Sequence, residues 1–171
     1  MNKKTAAIAV AIGMAFTSAA PVSAAGVSGA FSKGRTHFSL TAGNGYAFDE
    51  NYLVLGVGAS YYLIDGLNVG LYVESWSGAE PAIYKVTPSV QYVFYQIPRL
   101  APYIGGFYRH SYIENSQDLN SVGGRAGVYI SAGSNTYIGV GAVYESYRDC
   151  NQTTFTSCSD AYPEVSITIA F

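Results

Sequence analysis

The feature that most constrains this chain is a two-residue alternation of apolar and polar side chains, which continues from Thr36 to the C-terminus. Successive side chains of a β-strand point to opposite faces, so this period indicates strands and not helices. It predicts eight strands, at residues 36–46, 52–64, 67–76, 82–94, 101–112, 121–133, 136–148 and 162–171. Strands of about 10–13 residues exceed the usual globular strand of about 5–6 residues and suit a tilted strand that crosses a membrane.

The predicted connections alternate between short turns and longer polar loops. Asp65-Gly66 indicates a tight hairpin, and the connections at 95–100 and 133–135 are also short. The connections at 47–51, 77–81, 113–120 and 149–161 are longer or more polar. Short turns at one end and longer loops at the other are typical of bacterial outer-membrane barrels, and an even strand number places both chain ends on the periplasmic side.

Parity divides the predicted strands into an apolar face and a polar face. The apolar face has no acidic or basic residue within the strand centres, whereas the polar face has a balanced set: Glu74, Lys85, Arg109, Arg125, Glu145 and Glu164. These are too few for a solvated exterior, as a soluble barrel would need. A membrane barrel turns the apolar face to lipid and the polar face to its lumen. The sequence therefore predicts an eight-stranded antiparallel up-and-down transmembrane β-barrel with a charge network in its lumen.

The overall composition agrees with a membrane barrel and excludes other classes. Charged residues are 12% of the chain, about half the share of a soluble domain. Nine Lys+Arg against eleven Asp+Glu leave no basic excess for nucleic acid. Outside the N-terminus there is no apolar run of about 18 residues, which excludes a membrane-spanning helix. Nothing in the sequence indicates a cofactor or a metal site.

The N-terminus predicts export. Residues 1–24 have a basic start at Lys3 and Lys4, a short apolar stretch and small residues at Val22-Ser23-Ala24, as in a secretory signal peptide. Residues 25–171 then form the barrel domain, with a short lead-in before the first strand. In an oxidising compartment, Cys150 and Cys158 favour one disulfide that closes a small loop. A metal-binding pair is the alternative, but it lacks nearby His or further Cys ligands.

Aromatic residues near the predicted strand ends fit two interfacial belts. Some tyrosines must point into the lumen instead, such as Tyr72 and Tyr129. We expect these rings to pack against interior glycines, which leave room for them.

The signal peptide, the eight predicted strands and the C-terminal VSITIAF resemble the small outer-membrane barrels of the OmpA/OmpX type, over essentially all of residues 25–171. The resemblance implies a place in the bacterial outer membrane, with periplasmic termini, extracellular loops, and membrane lipids and lipopolysaccharide as partners. It also implies an assembly signal for the barrel-assembly machinery in the last strand: Val165, Ile167, Ile169 and Phe171.

The function predicted for such a barrel is structural or surface-interacting, without catalysis. Side chains fill the interior of an eight-stranded barrel, so a general pore is disfavoured. The loops at 113–120 and 149–161 are the candidate contact surfaces for a ligand. A narrow ion-conducting path through the lumen charges is one alternative.

The other alternative is a lipid A acyl hydrolase or acyltransferase. His110 and Ser111, near Glu114, are the one place where a base, a nucleophile and an acid crowd together. Adjacent strand residues point to opposite faces, so His110 and Ser111 should diverge. His37 has no local partner.

Overall fold

The computed structural model describes residues 29–47, 50–97, 100–148 and 158–171; the predicted signal peptide and Cys150 lie outside them. The chain folds into eight strands: β1 Thr36–Ala47, β2 Glu50–Ile64, β3 Leu67–Ser77, β4 Ile83–Val93, β5 Leu100–Ile113, β6 Leu119–Ser131, β7 Thr136–Tyr147 and β8 Ser159–Ala170. Each pairs antiparallel with its sequence neighbours, and β1 pairs with β8, which closes the barrel. The predicted order, number and antiparallel pairing of the strands are confirmed.

The strand bounds differ from the prediction mainly at the loop side of the barrel. β8 begins three residues before the predicted start, and Ser159 and Asp160 continue the ladder opposite β7. The alternation did not mark this extension because Ser159 and Asp160 are both polar and Ala161 is the only apolar residue among the three. On the opposite, turn side, Gly66 closes the β2–β3 hairpin with a φ of 80°, a conformation that favours glycine. Among the described residues, no helix has the length and apolar character needed to span a membrane.

The two faces of the barrel wall have opposite character. Outward side chains are large, apolar and exposed, including Leu40 at 56%, Val57 at 54% and Ile104 at 58%. Inward side chains are mostly polar or aromatic and buried, with Arg109 at 1% and Glu145 at 0%. This arrangement inverts that of a soluble barrel and matches a wall solvated by lipid.

Two apolar clusters lie in the lumen, one toward each end. The turn-side plug consists of Phe31, Tyr62, Val93, Ala101, Tyr103, Tyr129, Tyr137 and Ala170. The loop-side cluster consists of Tyr52, Ile83 and Ile113, with Trp76, Ala79 and Leu119 packed against it. The polar lumen residues lie between the plug and the cluster.

The plug depends on the lead-in segment that precedes β1. Phe31 is fully buried, and its ring lies 5.0–5.9 Å from the rings of four neighbours: His37, Tyr62, Tyr129 and Tyr137. Its carbonyl accepts a hydrogen bond from the backbone N–H of Gly66 at 2.8 Å. Backbone bonds therefore fix the segment inside the turn-side mouth, where its ring fills the remaining space.

Candidate functional site

The loop-side half of the lumen is organised by Arg109 on β5. Its guanidinium donates to four side chains: Thr87 Oγ1 at 3.0 Å, Glu145 Oε2 at 2.7 Å, Tyr162 Oη at 2.6 Å and Glu74 Oε1 at 3.5 Å. Glu145 also accepts from the hydroxyls of Ser121 and Tyr162. Burying charges is costly unless they are paired and hydrogen-bonded, and this network meets both conditions.

A second ion pair lies nearer the middle of the barrel. Arg125 Nη1 on β6 lies 3.4 Å from Glu164 Oε1 on β8. The guanidinium carbon of Arg125 lies 5.2 Å from the ring centre of Phe107, and that of Arg109 lies 4.9 Å from the same ring. Phe107 therefore separates the two cations, and its π-face is attractive to both.

Lys85 is the third lumen cation, and it is held differently. Its Nζ lies 3.6 Å from the ring centre of Trp76, and the residue is only 6% exposed. No carboxylate of the described residues forms an ion pair with it. The indole of Trp76 also donates to Glu74 Oε2 at 3.3 Å, so one ring links Lys85 to the Arg109 network.

Aromatic rings fill the rest of the lumen against glycines, as expected for Tyr72 and Tyr129. A methyl group at Gly58 or Gly70 would overlap the Tyr72 ring, and one at Gly139 would approach a Tyr129 ring carbon at 3.0 Å. The inward glycines therefore provide the space that these rings occupy. Polar side chains thus fill one part of the interior, and aromatic rings fill the other.

The candidate catalytic residues are separated by the barrel wall, in agreement with their predicted divergence. Ser111 is buried on the lumen side. His110 faces outward, where its Nδ1 lies 2.7 Å from Asn120 Oδ1 and its Nε2 lies 3.5 Å from Asp118 Oδ2. His37 is buried against the plug, with its Nε2 2.8 Å from the carbonyl oxygen of Ala30. Neither histidine is hydrogen-bonded to a serine in the described part of the chain.

The residues predicted as an assembly signal lie on the outer surface of β8 and at the chain end. Their exposures are 54% for Val165, 39% for Ile167, 37% for Ile169 and 62% for Phe171. Nothing in this placement tests recognition by the assembly machinery. The disulfide also stays a prediction, because Cys150 lies outside the described residues.

Comparison with known proteins identifies the fold. No family model and no curated protein matches the chain. The N-terminal β-barrel domain of Pseudomonas aeruginosa OprF is similar with a TM-score of 0.64 at 12% identity, over 81% of this chain and 98% of that chain. Neisserial surface protein A gives a TM-score of 0.53 at 15% identity, over 80% and 94%. The fold is that of a small outer-membrane barrel.

Within this barrel fold, the six charged residues that parity assigned to the lumen lie on the inner face, but parity did not give their partners. Tyr162, Ser121 and Thr87 complete the Arg109 network, and their inward parity was the available signal. Phe31 was missed because a lone phenylalanine in a small polar segment has no periodicity. Among the described residues, no group of three or more His, Cys, Asp or Glu is placed to hold a metal ion.

Proposed function

We propose that the protein is a bacterial outer-membrane barrel with a structural or surface-interaction role, whose lumen is closed to general diffusion. The observation that carries this proposal is the filled lumen, in which the Arg109 network is enclosed between the turn-side plug and the loop-side cluster. A pore would need a continuous polar path. Here such a path would have to cross apolar packing at both ends.

The proposed location in the outer membrane follows from the apolar outer face of the barrel wall. A continuous outer belt of exposed Leu, Val and Ile suits hydrocarbon, and the closed sheet leaves few backbone groups without partners. The proposed orientation places both termini in the periplasm and the loops at 113–120 and 149–161 outside the cell. In that orientation the loops contact lipopolysaccharide or a surface ligand, and a Cys150–Cys158 disulfide lowers the entropy lost on binding.

The proposed role excludes catalysis on lipid A. A nucleophilic serine needs a base within hydrogen-bond reach, but the wall separates Ser111 from His110. The partners of His110 are an amide and a carboxylate, without a hydroxyl nucleophile among those described. This geometry supports an interfacial polar contact for His110.

Two measurements test the proposal. Folded protein should migrate differently from boiled protein on a denaturing gel, and identical migration would contradict the proposed membrane barrel. Planar-bilayer recordings should show no steady current, whereas a persistent conductance would favour the ion path through the lumen charges.

Catalysis is tested separately. Lipid A mass spectra should be unchanged when the protein is expressed. A lost or gained acyl chain would instead establish an enzyme.

A further inference from the structure

The β5–β6 loop, residues 114–118, is tied to the barrel differently in its two halves. In the first half, the backbone N–H groups of Glu114 and Ser116 donate to carbonyl oxygens at 3.0 and 3.1 Å. In the second half, Asp118 forms no backbone hydrogen bond within the described part of the chain. It is joined to the wall through its side chain, whose Oδ2 lies 3.5 Å from Nε2 of His110 on β5. The return of the loop to β6 therefore depends on this pair.

The second ring nitrogen of His110 determines where the neutral ring carries its proton. Nδ1 lies 2.7 Å from Asn120 Oδ1 on β6, and the hydroxyl of Tyr108 donates to the same oxygen. An amide oxygen only accepts hydrogen bonds, so Nδ1 is the donor. In the neutral ring, Nε2 is then a bare acceptor that faces the carboxylate of Asp118. In the imidazolium, Nε2 carries a proton too, and the same contact becomes an attractive ion pair.

The other groups around His110 are uncharged. The residue lies opposite Val86 on β4 and Asn120 on β6, and its ring centre lies 4.4 Å from that of Tyr112. Among the described residues, Asp118 is the charged group in contact with the ring. The two side chains are 30% and 47% exposed, so solvent reaches both. The protonation state of His110 therefore decides whether this contact attracts or repels.

His37, the other histidine of the chain, provides a comparison. It is buried against the turn-side plug, and its Nε2 lies 2.8 Å from the carbonyl oxygen of Ala30. A neutral ring already satisfies that carbonyl by donating from Nε2. Protonation therefore creates a new attraction at His110 but not at His37.

We propose that His110 is a proton-operated clasp for the β5–β6 loop. Protonation of the ring pairs Nε2–H with Asp118 and holds the second half of the loop against the wall, and deprotonation releases it. Histidine changes charge between about pH 5 and 8, so the clasp closes in mildly acidic surroundings. The inference rests on the proposed function, because this loop belongs to the proposed contact surface at 113–120. It makes the order of that surface depend on pH.

NMR relaxation of the Cα carbons, measured on the protein in lipid nanodiscs, tests the clasp. Gln117 and Asp118 should be more ordered at about pH 5 than at about pH 7.5. Because exposed ion pairs are weak, the ratio of docked to released loop should rise by up to about fivefold. Glu114 and Ser116, which keep their backbone hydrogen bonds, should change little. Equal order of Gln117 and Asp118 at both pH values would overturn the inference.

Three substitutions identify the groups responsible. Asp118→Asn and His110→Gln should each remove the pH response, whereas His37→Gln should retain it. A response that persists in either of the first two variants, or disappears in folded His37→Gln, would overturn the clasp. Heat-modifiable gel migration reports separately on the barrel. Its absence from the unsubstituted protein would contradict the proposed membrane barrel, whereas a missing pH response in a heat-modifiable protein would contradict the clasp alone.

Discussion

The turn-side and loop-side halves of the lumen are closed by different kinds of interaction. The turn-side plug is built from aromatic and aliphatic side chains around Phe31, whose ring also contacts the imidazole of His37. From the middle toward the loops, the lumen holds the six charged groups predicted from parity. Apolar packing tolerates the loss of one partner by leaving a cavity. A charge network fails differently, because removing one ion leaves its counter-ions buried and unpaired.

The largest expected effect comes from breaking the charged half at Arg109. Arg109→Met removes the shared donor of Glu74 and Glu145, and we expect a loss of about 3–5 kcal/mol in the free energy of unfolding, since both carboxylates stay in the lumen. Urea titrations of the barrel in detergent micelles measure it. Lys33→Met removes an exposed charge and should change stability by less than about 0.5 kcal/mol.

A triple variant sharpens the explanation for Arg109. Adding Glu74→Gln and Glu145→Gln to Arg109→Met removes the uncompensated charges, so it should recover part of the lost stability. If the triple variant were less stable than Arg109→Met alone, unpaired charge would not be the cause.

In the turn-side half, Phe31→Ala should lower the free energy of unfolding by about 3 kcal/mol, because the ring is fully buried and its neighbours can fill the cavity only in part. Phe38→Ala is the matched control, since Phe38 faces outward at 53% exposure. Removing this ring from contact with lipid should lower the free energy of unfolding by about 0.5 kcal/mol. Equal losses in the two variants would show that the lead-in does not plug the barrel.

The two halves also differ in how far the sequence predicts them. The two-residue alternation assigned Arg109 and Glu145 to the lumen, because the direction of a side chain in a strand follows from parity alone. Whether Arg109 contacts Glu145 or Glu164 depends on register and barrel stagger, which parity does not specify. Phe31 lies outside any strand, and its burial depends on how the lead-in meets Gly66 across the mouth. The extent of the β1–β8 pairing, which runs from His37 and Ala170 to Thr41 and Ser166, likewise depends on how the barrel closes.

Substitutions that disturb the packing of rings against glycines should lower the free energy of unfolding by less than Arg109→Met or Phe31→Ala does. Gly58→Ala places a methyl group against the Tyr72 ring, and we expect a loss of about 1–3 kcal/mol from overpacking. Gly43→Ala is the matched control on the same inner face, because its added methyl group meets open space. Unfolding in urea should separate the two variants, and equal stability would mean that Tyr72 moves aside at little cost.

The smallest effect is expected for a polar pair outside the lumen. His110 and Asp118 lie 3.5 Å apart, but their side chains are 30% and 47% exposed. Solvent screens such a pair, so Asp118→Asn should change the free energy of unfolding by at most about 1 kcal/mol. Glu145→Gln weakens a pair with the same kind of acid inside the lumen, at 2.7 Å and fully buried, and should cost more. If the two substitutions cost the same, burial would not be what distinguishes the lumen charges from those at the surface.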